Sequence, residues 1–338
     1  MDQLESTVER KSFRLLERAI HAGASDLHIL PGYDEYTLLF RSHTETVKAG
    51  RLPLLIGDRV ITFFKFLSSL DISEKRKPQS GSFQHQFGEQ FFSFRVSTLP
   101  SVYLKESLVI RLMLRDSAIP LPSLTYNSES ANVLQTLSSF KQGLLCFTGP
   151  TGSGKTTTLY SLTNYCVQQM KRHVISLEDP VENSQSHLLQ IQVNEKSGVS
   201  YAAGLKAILR HSPDVIMIGE IRDAETAKAA VQAALTGHLV MTTVHSKDSV
   251  GCLYRLMDLG VSAEELNQVM IGIAAQRIVQ FRNTAGRADF ASVYEILHGD
   301  NLSDALADLL AGKAYRFPEY LTLEHQIREG IRNGTILS

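Results

Sequence analysis

The alternation of apolar and polar positions divides the chain into two parts, which are separated by small polar residues and prolines at residues 115–130. Before this stretch, short alternating runs predict strands, and longer amphipathic runs predict helices near residues 3–22 and 57–70. We therefore expect a small α+β domain over residues 1–116 and a linker at residues 117–130.

After the linker, apolar strand candidates alternate with helical patterns, which is typical of a mostly parallel sheet with helices on both faces. The predicted strands read LLCFT, VISLE, LLQIQV, DVIMIG and LVMTTV, and the predicted helices lie near residues 156–171, 200–211, 223–236 and 248–259. This pattern predicts an α/β core over residues 131–282. Residues 283–338 are expected to be mainly helical, and short strand candidates lie near 276–281 and 292–296.

The composition is ordinary for a soluble globular protein, because 43% of the 338 residues are hydrophobic and 20% are charged. A chain of this length is expected to form about two domains. Lysine and arginine are scattered and the formal net charge is −1, so no basic stripe is available to neutralise a row of nucleic-acid phosphates. We expect no direct contact with nucleic acid.

The three cysteines, Cys146, Cys166 and Cys252, lie far apart in the sequence and form no CxxC pair. They are interpreted as buried thiols in a reducing compartment. The amino-terminal residues lack the unbroken apolar stretch of a signal peptide, and no segment approaches the length of a membrane span. The sequence therefore predicts a cytoplasmic protein that meets the membrane through a partner.

A phosphate-binding loop, GPTGSGKT, stands between a predicted strand and a predicted helix. Its glycines allow close approach of the backbone, Lys155 supplies a positive charge for the outer phosphates, and Thr156 is suited to hold Mg²⁺. The alternative, a glycine turn with a surface lysine, does not explain the strand before the loop and the helix after it. The predicted nucleotide-binding residues are Gly149, Pro150, Thr151, Gly152, Ser153, Gly154, Lys155, Thr156 and Thr157.

Two acidic residues, Glu178 and Glu220, lie at the predicted carboxyl ends of strands. Ligands of parallel sheets bind at this edge, so both carboxylates are candidates to orient water or Mg²⁺. We assign the water-polarising role to Glu220 and a second catalytic or metal-supporting role to Glu178. The alternative for each residue is that it caps the helix that follows.

Two histidines, His238 and His245, flank the predicted strand LVMTTV. Beside a nucleotide site they are candidate catalytic groups that sense the γ-phosphate, although a lone histidine is more often a satisfied polar group at the edge of a core. Arg210 and Arg222 flank the strand that ends in Glu220 and are further candidates for nucleotide contact.

Two arginines of the first domain, Arg95 and Arg111, lie on opposite arms of a predicted hairpin, each within an apolar run. An arginine in such a run needs an anion, so both are candidates to reach a nucleotide as arginine fingers. The alternative is an internal ion pair with Glu106 or Asp116.

Four blocks follow one another in the second part of the chain: GPTGSGKTTTLY, ISLEDPVE, LRHSPDVIMIGEIRD and TGHLVMTTVHSKDS. In this order they resemble the Walker A, Asp box, Walker B and His box of the ATPases of secretion systems and type IV pilus assembly. The likeness continues upstream through ASDLHILP, PQSGSF and RVSTLPSVYLKESLVIRLM. It therefore covers most of the chain up to residue 282.

The resemblance implies a RecA-like P-loop ATPase core preceded by a PAS-like domain, with ATP and Mg²⁺ as ligands and a homohexamer as the assembly. It also implies that arginines of the first domain close on the nucleotide and that the motion is passed to a polytopic platform protein of the inner membrane. By position it assigns the finger role to Arg95 and Arg111, the Asp-box acid to Glu178, the Walker B acid to Glu220, and the His box to His238 and His245.

The chain also departs from the family pattern. It lacks the four-cysteine module of the type II secretion branch, so zinc is not expected. Ser212 replaces a usual aspartate and Leu104 a usual glycine, so the local loop geometry is expected to differ. The compact form resembles the branch that builds competence pseudopili for DNA uptake in Gram-positive bacteria. The alternatives are a pilus retraction or type II/IV secretion ATPase on the same core and, more distantly, an ATP-switched nucleic-acid-binding ring.

Overall fold

The structure is a computed structural model, and it describes residues 2–42, 45–88, 90–103, 105–114, 119–181, 185, 188–194, 197–282 and 288–337. Within these residues the chain forms two compact units, one up to Leu114 and the other from Ile119 onward. Leu104, Asp116, and residues 117–118 of the predicted linker lie outside the described residues.

The first unit is an antiparallel sheet with two helices. The sheet order is β3-β2-β1-β6-β5-β4, and every neighbouring pair is antiparallel. This arrangement agrees with the predicted α+β class, while the PAS-like assignment stays a prediction. The elements are α1 Asp2–His21, β1 Asp26–Pro31, β2 Glu35–Arg41, β3 Thr46–Pro53, α2 Leu54–Leu67, β4 Gln79–Phe87, β5 Gln90–Pro100 and β6 Glu106–Leu114.

Strand β5 shows why these residues form a sheet with one buried face. Phe92, Phe94 and Val96 are buried in a core that includes Phe64 of α2. Alternate residues of a strand point to opposite faces, so Arg95 lies on the face that does not pack on this core. The sequence therefore places the guanidinium group of Arg95 outside the apolar interior of the unit.

The second unit alternates strands and helices. Its helices are α3 Leu121–Leu124, α4 Ser128–Ser138, α5 Lys155–Gln168, α6 Tyr201–Ile208, α7 Ala224–Leu235, α8 Ser249–Asp258, α9 Ala263–Val269, α10 Gly299–Leu310 and α11 Leu323–Arg332. Its strands are β7 Gly143–Thr148, β8 Val174–Glu178, β9 Leu189–Gln192, β10 Val215–Ile221, β11 Leu239–Val244, β12 Met270–Arg282 and β13 Ala288–His298. Throughout the described part of the chain, no helix is both long enough and apolar enough to cross a bilayer.

The sheet of the second unit has the order β13-β12-β7-β11-β10-β8-β9, and only the pair β12–β13 is antiparallel. Successive residues of β7 belong to different cores, because Leu144 packs on the side of α6 to α10 and Leu145 on the side of α3 to α5. This arrangement confirms the predicted α/β class with a mostly parallel sheet covered on both faces.

Two regions differ from the predicted pattern. The short strand candidates near 276–281 and 292–296 are confirmed, but both strands are longer than predicted. Residues 288–298 of the segment expected to be mainly helical form a strand that pairs with β12 along its whole length. The strand is buried at five successive positions, 291–295, and such a run carries no period that separates strand from helix. The second difference is the linker, which contains α3, with Leu121 buried, and the start of α4, which Asn127 caps through a bond from the Glu129 N–H.

Candidate nucleotide-binding site

The loop between β7 and α5 requires its glycines. Gly149, Gly152 and Gly154 have φ angles of 145°, 81° and 85°, which other residues rarely adopt. A Cβ atom at Gly149 would lie 2.6 Å from the backbone oxygen of Gln276, and one at Gly154 would lie 2.9 Å from the Nε2 of the same glutamine. The loop therefore rests directly on strand β12, and no side chain fits between them.

Lys155 is the first residue of α5, and it is buried over the loop. Its Nζ donates to the backbone oxygens of Gly149 at 2.9 Å and Pro150 at 3.0 Å. The first N–H groups of α5 have no partner within the helix and carry its positive end, so they attract anions. An ammonium group and a helix amino terminus at one loop form a site for phosphate.

A buried polar cluster supports the loop from below. The hydroxyl of Thr158 lies 3.1 Å from Gln276 Oε1 and 2.8 Å from the Tyr294 hydroxyl, and Gln276 Nε2 donates to Ser292 Oγ at 2.9 Å. Sequence reasoning did not single out Gln276. The available signal was a lone amide side chain in the apolar run IAAQRIV, since a buried amide needs hydrogen-bond partners.

The order and direction of the strands bring Glu220, Arg222 and His245 to the edge of the sheet that carries the loop. Strand β11 lies between β7 and β10, and all three are parallel, so their carboxyl ends share one edge. At the end of β10, Glu220 forms an ion pair with Arg222 through Oε1, and its Oε2 lies 3.4 Å from His245 Nε2. The hydrogen bond to Glu220 raises the pKa of Arg222. Glu220 is 16% exposed, so its carboxylate is accessible.

Glu178 at the end of β8 has a different environment. It is 2% exposed, and its carboxylate accepts hydrogen bonds from Ser176 Oγ at 2.5 Å, from Gln190 Nε2 at 3.0 Å and from the Tyr160 hydroxyl. Both acids therefore lie at carboxyl ends of parallel strands, but Glu178 is buried and accepts hydrogen bonds from these three side chains.

His238 and Arg210 lie at the opposite edge of the sheet. His238 directly precedes β11, and its Nδ1 lies 3.0 Å from the backbone oxygen of Ala233. Arg210 lies in the short 3-10 turn Leu209–His211, which comes before β10. A strand of six residues is about 20 Å long, so neither side chain lies at the edge of the sheet that carries the loop. The structure therefore brings Arg222 and His245, but not Arg210 or His238, to the edge of the sheet that carries the loop.

The two arginines of the first unit are direct neighbours. Arg95 of β5 pairs in register with Arg111 of β6, and Arg111 pairs in register with Asp26 of β1. Arg111 Nε lies 2.9 Å from Asp26 Oδ1. Burial raises the pKa of Asp26, but hydrogen bonds from Ser25 and Arg111 outweigh burial and hold that pKa below its usual value. Arg111 thus has an internal partner, whereas Arg95 has no ion pair within the described residues.

The alternative, an ion pair of either arginine with Glu106, does not form among the described residues. Glu106 is 5% exposed and binds Lys65, whose Nζ lies 2.8 Å from Glu106 Oε1. Asp116, the other expected partner, lies outside the described residues. The aspartate that does pair with Arg111 is distant in sequence, and no local pattern marks it.

The side chains at the loop edge fit a Mg²⁺ ion. The Thr156 hydroxyl makes no hydrogen bond to any described residue, and the Glu220 carboxylate is partly exposed. Hydroxyl and carboxylate oxygens are the ligands that Mg²⁺ takes beside nucleotide phosphates. Glu178 is enclosed by its donors, so the structure favours Thr156 and Glu220 over Glu178 as metal ligands.

Comparison with known proteins gives consistent matches over almost the whole chain. The family model described as "Type II/IV secretion system protein" matches residues 2–334. The competence protein ComGA of Bacillus subtilis (strain 168) is 44% identical over 345 residues, which cover 97% of this chain and 95% of that protein. The type II secretion system protein E of Pectobacterium carotovorum subsp. carotovorum is 40% identical over 268 residues, 79% of this chain and 53% of that protein.

Among solved structures, that of the pilus retraction motor PilT with bound ADP is similar to this chain, with a TM-score of 0.74 and 25% sequence identity. The similarity covers 96% of this chain and 93% of PilT. The fold, the order of the motifs and the likeness to these proteins therefore indicate the same family.

Proposed function

The chain belongs to the family of type II/IV secretion system proteins, and from that premise we propose that it is a hexameric motor that powers assembly of a type IV pilus-like pseudopilus. It is a P-loop ATPase of the secretion and pilus class. The observation that carries the proposal is the complete phosphate loop, whose glycines rest on β12 and whose Lys155 lies over the loop carbonyls.

The substrate is ATP with Mg²⁺. Lys155 and the N–H groups at the start of α5 bind the phosphates, and Thr156 and Glu220 hold the ion. Bound Mg²⁺ neutralises charge that develops on the phosphate oxygens. Glu220 also polarises the attacking water, and His245 responds to the γ-phosphate through its contact with the Glu220 carboxylate.

Arg95 and Arg111 of the first unit act as the phosphate-contacting arginines. Arg95 is the better candidate because no carboxylate within the described residues occupies it, whereas Arg111 exchanges its contact with Asp26 for the new anion. Arg222 at the end of β10 adds a third guanidinium group near the reacting acid.

The assembly is a homohexamer that works with a polytopic platform protein at the inner face of the cell membrane. The relative ComGA is by name a competence protein, and its match covers both chains almost completely, which supports a role in DNA uptake. The motor passes the work of nucleotide binding and release to the platform protein, and no direct contact with nucleic acid is needed.

Substitution Lys155→Ala tests the enzymatic part of the proposal. Loss of the ammonium group removes a charge that stabilises the transferring phosphate, so we expect kcat for ATP hydrolysis to fall by at least about 100-fold. Lys141→Ala, at an exposed position before β7, is the matched control and should keep the wild-type rate. Equal rates in Lys155→Ala and the control would contradict the proposed site.

A second candidate is a retraction motor or a type II secretion ATPase, which the likeness to PilT and to the type II protein supports. A chromosomal Lys155→Ala allele separates the candidates. The assembly motor predicts loss of the filament and of transformability. A retraction motor predicts intact or more abundant filaments, and a secretion ATPase predicts a secretion defect with transformation unchanged.

A further inference from the structure

One buried hydroxyl beside the loop edge has no role in the site described above. Tyr201 is the first residue of α6, and its ring packs against the core on that side of the sheet. The hydroxyl oxygen is buried and makes no hydrogen bond to any described residue. A buried hydroxyl without a partner is destabilising, so its retention at this position calls for an explanation.

The surroundings of this hydroxyl belong to the reacting edge. A Cβ atom at Gly219 would lie 3.2 Å from the Tyr201 oxygen and 3.4 Å from the Cα of Glu178. The hydroxyl therefore reaches the space between the carboxyl ends of β8 and β10, directly beside the residue that precedes Glu220. Glycine at position 219 makes this approach possible, because a side chain there would compete for the same space.

Burial and the neighbouring carboxylates keep the phenol protonated. Burial raises the pKa of Tyr201, and the carboxylates of Asp179 and Glu220 raise it further. A phenol that keeps its proton is a hydrogen-bond donor, and carboxylates are its strongest nearby acceptors. The group is therefore suited to orient a neighbour, and it gives up no proton during hydrolysis.

We propose that Tyr201 is a positioning residue for ATP hydrolysis, whose hydroxyl donates a hydrogen bond, directly or through one water molecule, to the Glu220 carboxylate. In the present structure the same carboxylate is held from its exposed side by Arg222 and His245, which are 61% and 53% exposed. Tyr201 supplies a buried contact that solvent does not screen, and it fixes the direction of the acid when Arg222 turns to a phosphate.

The test is Tyr201→Phe, which keeps the ring and removes only the oxygen. Loss of one orienting hydrogen bond should lower kcat about three- to tenfold and leave the KM for ATP unchanged. The melting temperature should stay close to that of the wild type, because the ring that packs against the core is kept. Tyr315→Phe is the matched control, since its hydroxyl donates to Asn301 of α10 at 3.3 Å, and it should leave kcat unchanged.

A double-mutant cycle with Glu220→Gln distinguishes positioning from a purely structural role. If Tyr201 acts through Glu220, Tyr201→Phe should change the residual rate of Glu220→Gln by less than about twofold. A double variant in which the two losses of rate are fully additive would overturn the proposal. An unchanged kcat in Tyr201→Phe, when the wild type is active, would also overturn it. The inference rests on the proposed ATPase site, so wild-type protein without hydrolysis would overturn both proposals together.

Discussion

The carboxyl ends of β8 and β10 carry the same type of residue in very different surroundings. Glu178 is almost completely buried and accepts hydrogen bonds from neutral side chains, whereas Glu220 is partly exposed and contacts a guanidinium and an imidazole. Strand β9 explains part of the difference, because it pairs with β8 and supplies Gln190. Strand β10 lies between β8 and β11, and His245, which contacts Glu220, directly follows β11.

Both acids lie at the end of a strand, but this contrast indicates that they have different functions. A carboxylate enclosed by fixed donors holds its neighbours in place, and here it links α5, through Tyr160, to β8 and β9. A carboxylate whose partners are exposed is free to exchange them for water, metal or phosphate. We therefore expect Glu220 to act on the reaction and Glu178 to maintain the geometry around it.

The largest effect that tests this contrast is expected for Glu220→Gln. Removal of the acid that polarises water should lower kcat by about 100-fold or more, while the affinity for ATP is retained. Steady-state hydrolysis and a separate nucleotide-binding titration measure the two quantities. Glu225→Gln, an exposed acid in the first turn of α7, is the control. A variant with near-wild-type kcat would remove the distinction between the two acids.

Glu178→Gln should give a smaller loss of rate and a clear loss of stability. The amide nitrogen would face hydroxyl and amide donors, and an unsatisfied buried group of this kind costs about 1–3 kcal/mol. For a unit of this size we expect the melting temperature to fall by about 3–8 °C. We expect kcat in the folded fraction to fall by no more than about tenfold. If Glu178→Gln is instead fully stable and inactive, Glu178 is the reacting acid and the assignment is reversed.

The smallest effect is expected for His245→Asn. The imidazole lies 3.4 Å from Glu220 and is exposed, so its contribution to holding the carboxylate is weak, and kcat should fall by no more than about fivefold. His238→Asn is the matched control at the opposite edge of the same strand and should not change kcat. An equal fall of kcat in the two variants would contradict the expectation that only His245 acts at the reacting edge.

The predicted strands of the second unit were accurate because each is a short apolar run that polar residues end. The phosphate loop followed from its motif and from the strand before it. The length of hairpin β12–β13 was underestimated, because five successive buried positions in β13 show no alternation of buried and exposed residues. The positions of His238 and His245 at opposite ends of β11 followed from the sequence, because they flank one apolar run.

The contacts around the site could not be predicted from local sequence pattern, because they join residues that are distant in the sequence. Asp26 and Arg111 are separated by 85 positions, and only the order of strands in the first sheet brings them together. In the sequence, Tyr201 and Tyr160 resemble ordinary aromatic residues of amphipathic helices. Only the structure shows that their hydroxyl groups lie beside the ends of β8 and β10. The burial of Glu178 likewise depends on β9, a strand of four residues.

Strand β12 joins two distant parts of the second unit. Near its middle, Gln276 supports the glycines of the phosphate loop; toward its end, the backbone of Gln280 and Arg282 bonds to residues 337 and 335. One continuous strand therefore connects residues 335–337 to the glycines of the phosphate loop. We expect a displacement of this carboxyl-terminal segment to be felt first at the phosphate loop.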